Sequence, residues 1–269
     1  MIVAAAAQMS DSRRAGMADA DHNRVHGGKT VYGASVGILM LETRFPRVPG
    51  DIGHAATWPF PVLYKVVRGA TAERVTTAKA NDRSTGLLEA FFAAGAELVQ
   101  DGADGITTSC GFLSIYQREL AAHCRVPVAA SALMQIPLVE RLLPPRKRVG
   151  ILTFSAALLG TDHLVAAGAA PDTPVVGAER GREFWRVMAH GEMTLDIAAA
   201  RQDILAAGDE LVAEHPDVGA VVLECTNMVP FARALRQRLQ MPVYDIYSFI
   251  TWFHAGLSPR GFGLPGDPP

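Results

Sequence analysis

Four short blocks of sequence recur in the same order in the two halves of this 269-residue chain. The matched pairs are Val36–Leu39 with Val149–Leu152, Ala93–Val99 with Ala206–Val212, Cys110 with Cys225, and Pro127-Val128 with Pro242-Val243. The first two pairs share one spacing along the chain, and the last two share a spacing that is two residues longer. One insertion near the turn at His215-Pro216 explains both spacings. The repeat therefore predicts two copies of one structural unit.

Each unit alternates short apolar segments of strand length with longer segments rich in helix formers. The predicted strands begin at Val36, Gly105 and Val126 in the first unit and at Val149, Ala220 and Met241 in the second. The predicted helices cover 87–100, 113–124 and 133–143, and then 198–214, 229–240 and 247–257. This alternation predicts an α/β fold of two pseudosymmetric lobes, each a parallel sheet flanked by helices and related by internal duplication.

The repeat also predicts the domain boundaries. We expect a flexible leader over 1–30, where charged residues show no periodicity, and a Pro/Gly-rich tail over 259–269. The first lobe should contain 31–133 together with 244–258, because the last strand and helix are expected to return to it. The second lobe should contain 134–243.

The charge and hydrophobicity of the chain indicate which kinds of molecule it could bind. The formal net charge of −2 gives no basic field for nucleic acid, and no apolar segment reaches the roughly 18 residues of a membrane span. A small molecule is therefore the expected partner. Three cysteines, an odd number, argue against a disulfide framework and favour a reducing compartment, with the cytoplasm as the expected location.

The matched cysteines, Cys110 and Cys225, both stand where a strand ends and a helix begins. This edge of an α/β sheet is where ligands bind, and the start of a helix is expected to lower the pKa of a thiol. Two such thiols on opposite walls of a cleft could remove a proton from one face of a carbon and return one to the other face. The third cysteine, Cys124, matches Leu239 and is expected to belong to the core.

The segments Thr107–Phe112 and Leu223–Asn227 resemble the two cysteine motifs of the cofactor-independent aspartate/glutamate racemase superfamily. That superfamily also contains hydantoin racemases, maleate isomerases and arylmalonate decarboxylases. The resemblance implies paired lobes, no pyridoxal phosphate, no metal, and an acid/base pair formed by Cys110 and Cys225. Amino-acid racemases usually have Asn-Thr after the first cysteine, where this chain has Gly111-Phe112, and often have Gly in place of Glu224. These departures indicate a substrate other than aspartate or glutamate.

Polar residues beside the predicted strand ends are the candidates for substrate binding. They are Ser109, Gly111, Thr226, Asn227, Thr153, Ser155, Glu42 and Asp51. Several of them could equally serve as helix caps. The long turn-rich segment 49–61 is a candidate flap over the site, in which Asp51 or His54 could orient a thiol.

These features predict a racemase or epimerase that inverts a carbon next to a carboxylate or amide carbonyl, with an amino acid or hydantoin as substrate. Two alternatives stay open. One is a cis-trans isomerase, decarboxylase or other lyase that uses a single cysteine, and the other is a non-catalytic two-lobed ligand-binding protein. A homodimer or higher homo-oligomer is the expected assembly.

Overall fold

The computed structural model describes residues 27–79, 84 and 86–263. Of the predicted leader and tail, only 27–30 and 259–263 fall within these ranges, and the rest of both lies outside the described residues. No helix in the described ranges is long and apolar enough to cross a membrane.

The first sheet contains four parallel strands in the order β2-β1-β3-β4. They are β1 (Val36–Leu41), β2 (Val62–Val67), β3 (Gly105–Thr108) and β4 (Val128–Ala129). The helices of this half are α1 (Ala72–Thr76), α2 (Leu87–Asp101), α3 (Gln117–Cys124) and α4 (Ile136–Leu142). Every residue of β1 and β3 is buried, as expected for inner strands covered on both faces.

The second sheet repeats this arrangement with the strand order β6-β5-β7-β8, again all parallel. Its strands are β5 (Arg148–Thr153), β6 (Val175–Gly177), β7 (Val218–Leu223) and β8 (Val243–Tyr244). Its helices are α5 (Thr161–Ala166), α6 (Glu183–His190), α7 (Ile197–Glu214), α8 (Ala232–Leu239) and α9 (Ile246–Leu257). The two identical strand orders confirm the predicted α/β fold with two related sheets.

The last helix of each half packs on the sheet of the other half. Helix α4 contacts β5, and α9 contacts β3. The Gln135 side-chain amide donates a hydrogen bond to the Asp245 carbonyl at 3.0 Å and so joins the two exchanged segments. The expectation that the last strand also returns to the first lobe is wrong, because β8 pairs with β7 within the second sheet. The exchange of helices ties the two sheets together around the space between their carboxyl edges.

Two of the four edge strands, β2 and β6, were not predicted from the sequence. Strand β2 follows a proline-rich segment and is mostly half-exposed or exposed, and β6 has only three residues. Both therefore lack the continuous apolar pattern that marks the inner strands.

The segments after the two cysteines begin as 3₁₀ helices rather than as α-helices. Gly111–Tyr116 precedes α3, and Thr226–Phe231 precedes α8. Pro230 has no backbone N–H to donate within the second of these turns. Each cysteine thus occupies the N-cap position of a short 3₁₀ helix.

Candidate active site

A pocket brings together the two cysteine turns and the loop that follows β1. Its apolar lining consists of Leu41, Phe45, Ala72, Phe112, Phe154 and Met188. Its polar lining consists of Thr43, Arg47, Thr76, Ser109, Cys110, Gly111, Glu224, Cys225, Thr226 and Asn227. A cleft in which polar groups converge between apolar walls is the usual form of a small-molecule site.

The two cysteine turns contact each other directly. Thr226 Oγ1 donates a hydrogen bond to the Ser109 carbonyl at 2.8 Å, so the residue after one cysteine holds the residue before the other. The Ser109 hydroxyl in turn accepts a hydrogen bond from the Leu41 N–H at 2.9 Å, which fixes the turn to β1. Ser109 and Thr226 therefore set the separation of the cysteines, and their hydroxyl groups are already engaged within the protein.

The expected lowering of the thiol pKa values is wrong. Burial, followed by the negative charge of Glu224, raises the pKa of Cys110 and that of Cys225. The Phe112 N–H and Arg47 lower the pKa of Cys110 by smaller amounts. A short 3₁₀ turn offers too little positive potential to outweigh the loss of water around a buried thiolate. Both shifts favour the protonated thiol.

Cys225 is held by a chain of polar groups that ends in the loop after β1. Its Sγ donates to Asn227 Oδ1 at 3.6 Å, and Asn227 Nδ2 donates to Asp51 Oδ2 at 2.5 Å. The other carboxylate oxygen of Asp51 accepts from Arg47 at 2.6 Å and from the Gly53 N–H at 2.8 Å. Asp51 thus orients a thiol through Asn227, without lining the pocket itself.

Glu224 brings a carboxyl group into the same pocket from the end of β7. Its Oε2 accepts a hydrogen bond from Thr153 Oγ1 at 2.8 Å. Its Oε1 accepts no hydrogen bond of normal geometry from any described residue. Burial raises the pKa of Glu224 to about 7, against the lowering effect of the Thr153 hydrogen bond. This buried carboxyl is therefore poised to gain or lose a proton near neutral pH.

The structure brings six of the eight predicted binding residues to the pocket or its immediate support, and it leaves two elsewhere. Glu42 is exposed and bonds Arg68 at 2.9 Å. The Ser155 hydroxyl donates to Glu179 at 3.3 Å, outside the pocket lining. Both follow the carboxyl end of an inner strand, as predicted, but their side chains turn toward neighbouring loops rather than the cleft.

The segment 49–61 is a loop with one short 3₁₀ turn, Ala55–Thr57, and it contributes Asp51 to the site. His54 does not approach a thiol, because its Nδ1 accepts from the Ala56 N–H at 3.2 Å and caps that turn. Trp58 anchors the loop by donating to the Ile52 carbonyl and by stacking on Tyr247.

Arg47, a cationic residue of the pocket lining, was not among the residues predicted from the sequence. Arg47 donates to Asp51 and, at 3.0 Å, to Thr43 Oγ1. Its position in the loop directly after β1, at the ligand-binding edge of the sheet, was a usable signal. Among the described residues, no group of three or more His, Cys, Asp or Glu side chains could hold a metal ion.

No protein-family profile matches the chain, but curated proteins do. A dimethylsulfoniopropionate lyase from Durusdinium sp. clade D is 29% identical over 241 residues, which cover 86% of this chain and 78% of that protein. Dimethylsulfoniopropionate lyase 5 from Emiliania huxleyi is 28% identical over 82% of this chain and 45% of that protein. This chain thus spans less than half the length of the second relative. The other curated relatives found, also from Emiliania huxleyi, carry the same enzyme name at 23–27% identity.

Solved structures of the aspartate/glutamate racemase superfamily share the fold. Unliganded arylmalonate decarboxylase superposes with a TM-score of 0.53 at 14% identity, covering 87% of this chain and 96% of that chain. Allantoin racemase from Pseudomonas fluorescens gives a TM-score of 0.52 at 16% identity, covering 82% and 90%. The resemblance stated from the cysteine motifs is therefore confirmed, and this chain has the fold of that superfamily. These neighbours act on small molecules.

The predicted racemase or epimerase activity is wrong, and so is the assignment to the isomerases. The relatives with the higher sequence identity are lyases, whereas the structural neighbours share only the fold at 12–16% identity. A fold of this kind hosts several reactions, so the motif pair identified the architecture but not the reaction.

Proposed function

We propose that this protein is a lyase that eliminates a sulfide from a β-sulfonio carboxylate, with dimethylsulfoniopropionate as the first substrate to test. One observation carries the proposal: 29% identity to a dimethylsulfoniopropionate lyase over 86% of this chain. The paired thiols, the arginine and the buried carboxyl in one pocket support it, because each has a use in such an elimination.

The reaction requires a base and a site that tolerates charge separation. The base removes a proton from the carbon next to the carboxylate, and the electron pair of that C–H bond forms the new C=C bond. The bond between the β-carbon and sulfur breaks, and its electron pair leaves with the neutral sulfide. Dimethylsulfoniopropionate thus yields acrylate and dimethyl sulfide, while the base carries the proton until water accepts it.

Cys110 is the better candidate for the base. Glu224 disfavours the thiolate form of both cysteines, but Arg47 and the Phe112 N–H favour that of Cys110. The Asn227 N–H favours the thiolate of Cys225, whereas Cys110 and Asp51 both disfavour it. A bound sulfonium cation would favour the thiolate further, because an opposite charge nearby lowers a thiol pKa. The substrate therefore helps to create the base that attacks it.

Cys225 acts in this scheme as a neutral thiol on the other wall. Asn227 accepts its S–H and keeps it protonated. The same S–H can pass its hydrogen bond to a substrate carboxylate oxygen as negative charge accumulates there. The roles of the two cysteines are thus unequal, in contrast to the alternating roles that a racemase needs.

We assign the binding of the substrate carboxylate to Arg47 and Thr43, which line the pocket from the loop after β1. The Arg47 guanidinium has five N–H donors, and two of them bond Asp51 and Thr43. The remaining N–H groups are available to a carboxylate in the pocket. We expect the elimination to proceed without a bound cofactor, because the acidic proton and the leaving group both belong to the substrate.

Product identification tests the proposal. The purified protein is incubated with dimethylsulfoniopropionate and followed by proton NMR, with headspace gas chromatography for the sulfide. We expect vinyl protons of acrylate and dimethyl sulfide in equal amounts. Substituted malonates, amino acids and hydantoins are offered in parallel. Loss of carbon dioxide from a malonate without any acrylate from the sulfonium compound would contradict the proposal.

A further inference from the structure

The carboxyl group of Glu224 is an unusual component for an apolar pocket. Only 1% of the residue's surface is exposed, yet the residue lines the cavity. Thr153 satisfies Oε2, and the Phe154 N–H lies 3.5 Å from the same oxygen. Oε1 accepts no hydrogen bond of normal geometry within the described ranges, although the Phe112 N–H lies close enough to Glu224 to lower its pKa. A buried carboxylate oxygen without a well-formed hydrogen bond carries a free-energy cost, which a ligand of opposite charge would relieve.

Gly111 provides the space that Glu224 occupies. A Cβ atom at position 111 would overlap both Oε1 and the main-chain oxygen of Glu224. The two departures from the racemase motifs, Gly111 and Glu224, are therefore in contact with each other. Because Gly111 has no side chain, the carboxyl group of Glu224 can reach the pocket.

The pocket has charges of opposite sign around the thiol of Cys110. Glu224 raises the pKa of Cys110 and Arg47 lowers it, so both groups lie within electrostatic range of this sulfur. Asp51 already neutralises part of the Arg47 charge, whereas no described cation pairs with Glu224. A ligand carrying both charges can place its anionic end at Arg47 and its cationic end at Glu224, with the carbon chain beside Cys110.

Two phenylalanines line the pocket with Glu224, but the ring of Phe112 is buried in the core and packs edge-on against His163, with 5.2 Å between ring centroids. Phe112 follows Gly111, and Phe154 follows Thr153, the hydrogen-bond donor to Glu224. The Phe154 ring is stacked on Trp185 with 4.4 Å between ring centroids, which holds its orientation. Aromatic faces attract alkylated onium groups, which cannot donate conventional hydrogen bonds.

We infer that Glu224 is the specificity-determining residue for a substrate with an alkylated cationic group, and that it holds this group against the Phe154 ring. The inference rests on the proposed function for the identity of the natural substrate. It does not require turnover, because it concerns binding. The raised pKa of Glu224, about 7, is consistent with it, since an incoming cation would bring the carboxyl fully into its charged form.

A pair of unreactive ligands with the same shape tests this inference. The cationic ligand is 3-(trimethylammonio)propionate, and the neutral one is 4,4-dimethylpentanoate, in which carbon replaces the nitrogen. Titration calorimetry measures both with the wild-type protein and with Glu224→Gln. Glu179→Gln is the matched control, since Glu179 lies at the same sheet edge but outside the pocket lining.

We expect the wild type and the Glu179→Gln variant to bind the cationic ligand about tenfold or more tightly than the neutral one, and Glu224→Gln to lose that preference. Affinity for the neutral ligand should change less than about twofold. Glu224→Asp, which keeps the charge, should retain part of the preference. Equal affinities in the wild type, or an unchanged preference in Glu224→Gln, would overturn the inference.

The two hypotheses can fail separately. A protein that forms no acrylate but prefers the cationic ligand through Glu224 would refute the proposed lyase function and support the inference. A protein that forms acrylate while its Glu224→Gln variant keeps the full preference would refute the inference alone.

Discussion

The buried carboxyl of Glu224 should make the stability of the protein depend on pH, and Glu224→Gln should remove that dependence. Burial raises the pKa of Glu224 from its ordinary value of 4.5 to about 7 in the folded protein. Because the folded value is the higher one, the protonated carboxyl stabilises the fold. This contribution is complete below pH 4.5 and is lost as the pH rises through 7.

The magnitude follows from the two pKa values. At 1.36 kcal/mol per pKa unit, the full loss is about 3 kcal/mol, most of which falls between pH 5 and pH 8. Glutamine keeps the shape of the side chain and an oxygen that can accept from Thr153, but it does not ionise. The free energy of unfolding of Glu224→Gln, relative to wild type, should therefore increase by about 2–3 kcal/mol from pH 5 to pH 8.

Urea unfolding of both proteins at the two pH values measures this change. Glu97→Gln is the control, because Glu97 is exposed and pairs with Lys65 on the surface, so its relative stability should change by less than about 0.5 kcal/mol. A wild-type-to-variant difference that stays constant between pH 5 and pH 8 would refute the reasoning, since it would mean that Glu224 titrates normally.

Two further substitutions test the contacts that build the site. Gly111→Ala would drive a methyl group into Glu224 and should lower the free energy of unfolding by about 1–3 kcal/mol. Gly256→Ala is the control and should not lower it, because a Cβ at position 256 meets nothing within 4 Å. Equal thermal unfolding of the two variants would contradict the predicted overlap. Asp51→Ala would release Asn227 and should lower kcat at least about tenfold, with a smaller effect on KM. Steady-state kinetics that show only a raised KM would mean that Asp51 does not position the catalytic groups.

The fold class was predictable because the same blocks of strand and helix pattern occur in both halves of the sequence. The inner strands β1 and β3 begin at Val36 and Gly105, as predicted, since buried parallel strands are continuous apolar runs. The edge strands β2 and β6 lack this pattern, and no repeated block covered them. The 3₁₀ turns after the cysteines depend on contacts between the lobes, such as the hydrogen bond from Thr226 to Ser109, which a local pattern does not contain.

The site was only partly predictable. Cys110 and Cys225 stand at equivalent junctions, so the repeat brought them together, and the turn-rich loop pointed to Asp51. The direction of the thiol pKa shifts was not predicted, because it depends on how deeply the two thiols are buried. It also depends on Glu224, whose location in three dimensions the sequence does not reveal. The reaction class was missed because an elimination and a racemisation begin with the same proton transfer and call for the same residue types.

The most direct test of the central claim is the rate of acrylate formation from dimethylsulfoniopropionate by the wild type and by Cys110→Ala, Cys225→Ala and Cys124→Ala. Cys124 is a buried core cysteine outside the pocket lining, so it controls for the loss of a thiol as such. We expect each pocket substitution to lower the rate at least about a hundredfold and Cys124→Ala to leave it close to that of the wild type. Undiminished acrylate formation by a folded Cys110→Ala protein would contradict the account, because the thiol assigned as the base would then be dispensable.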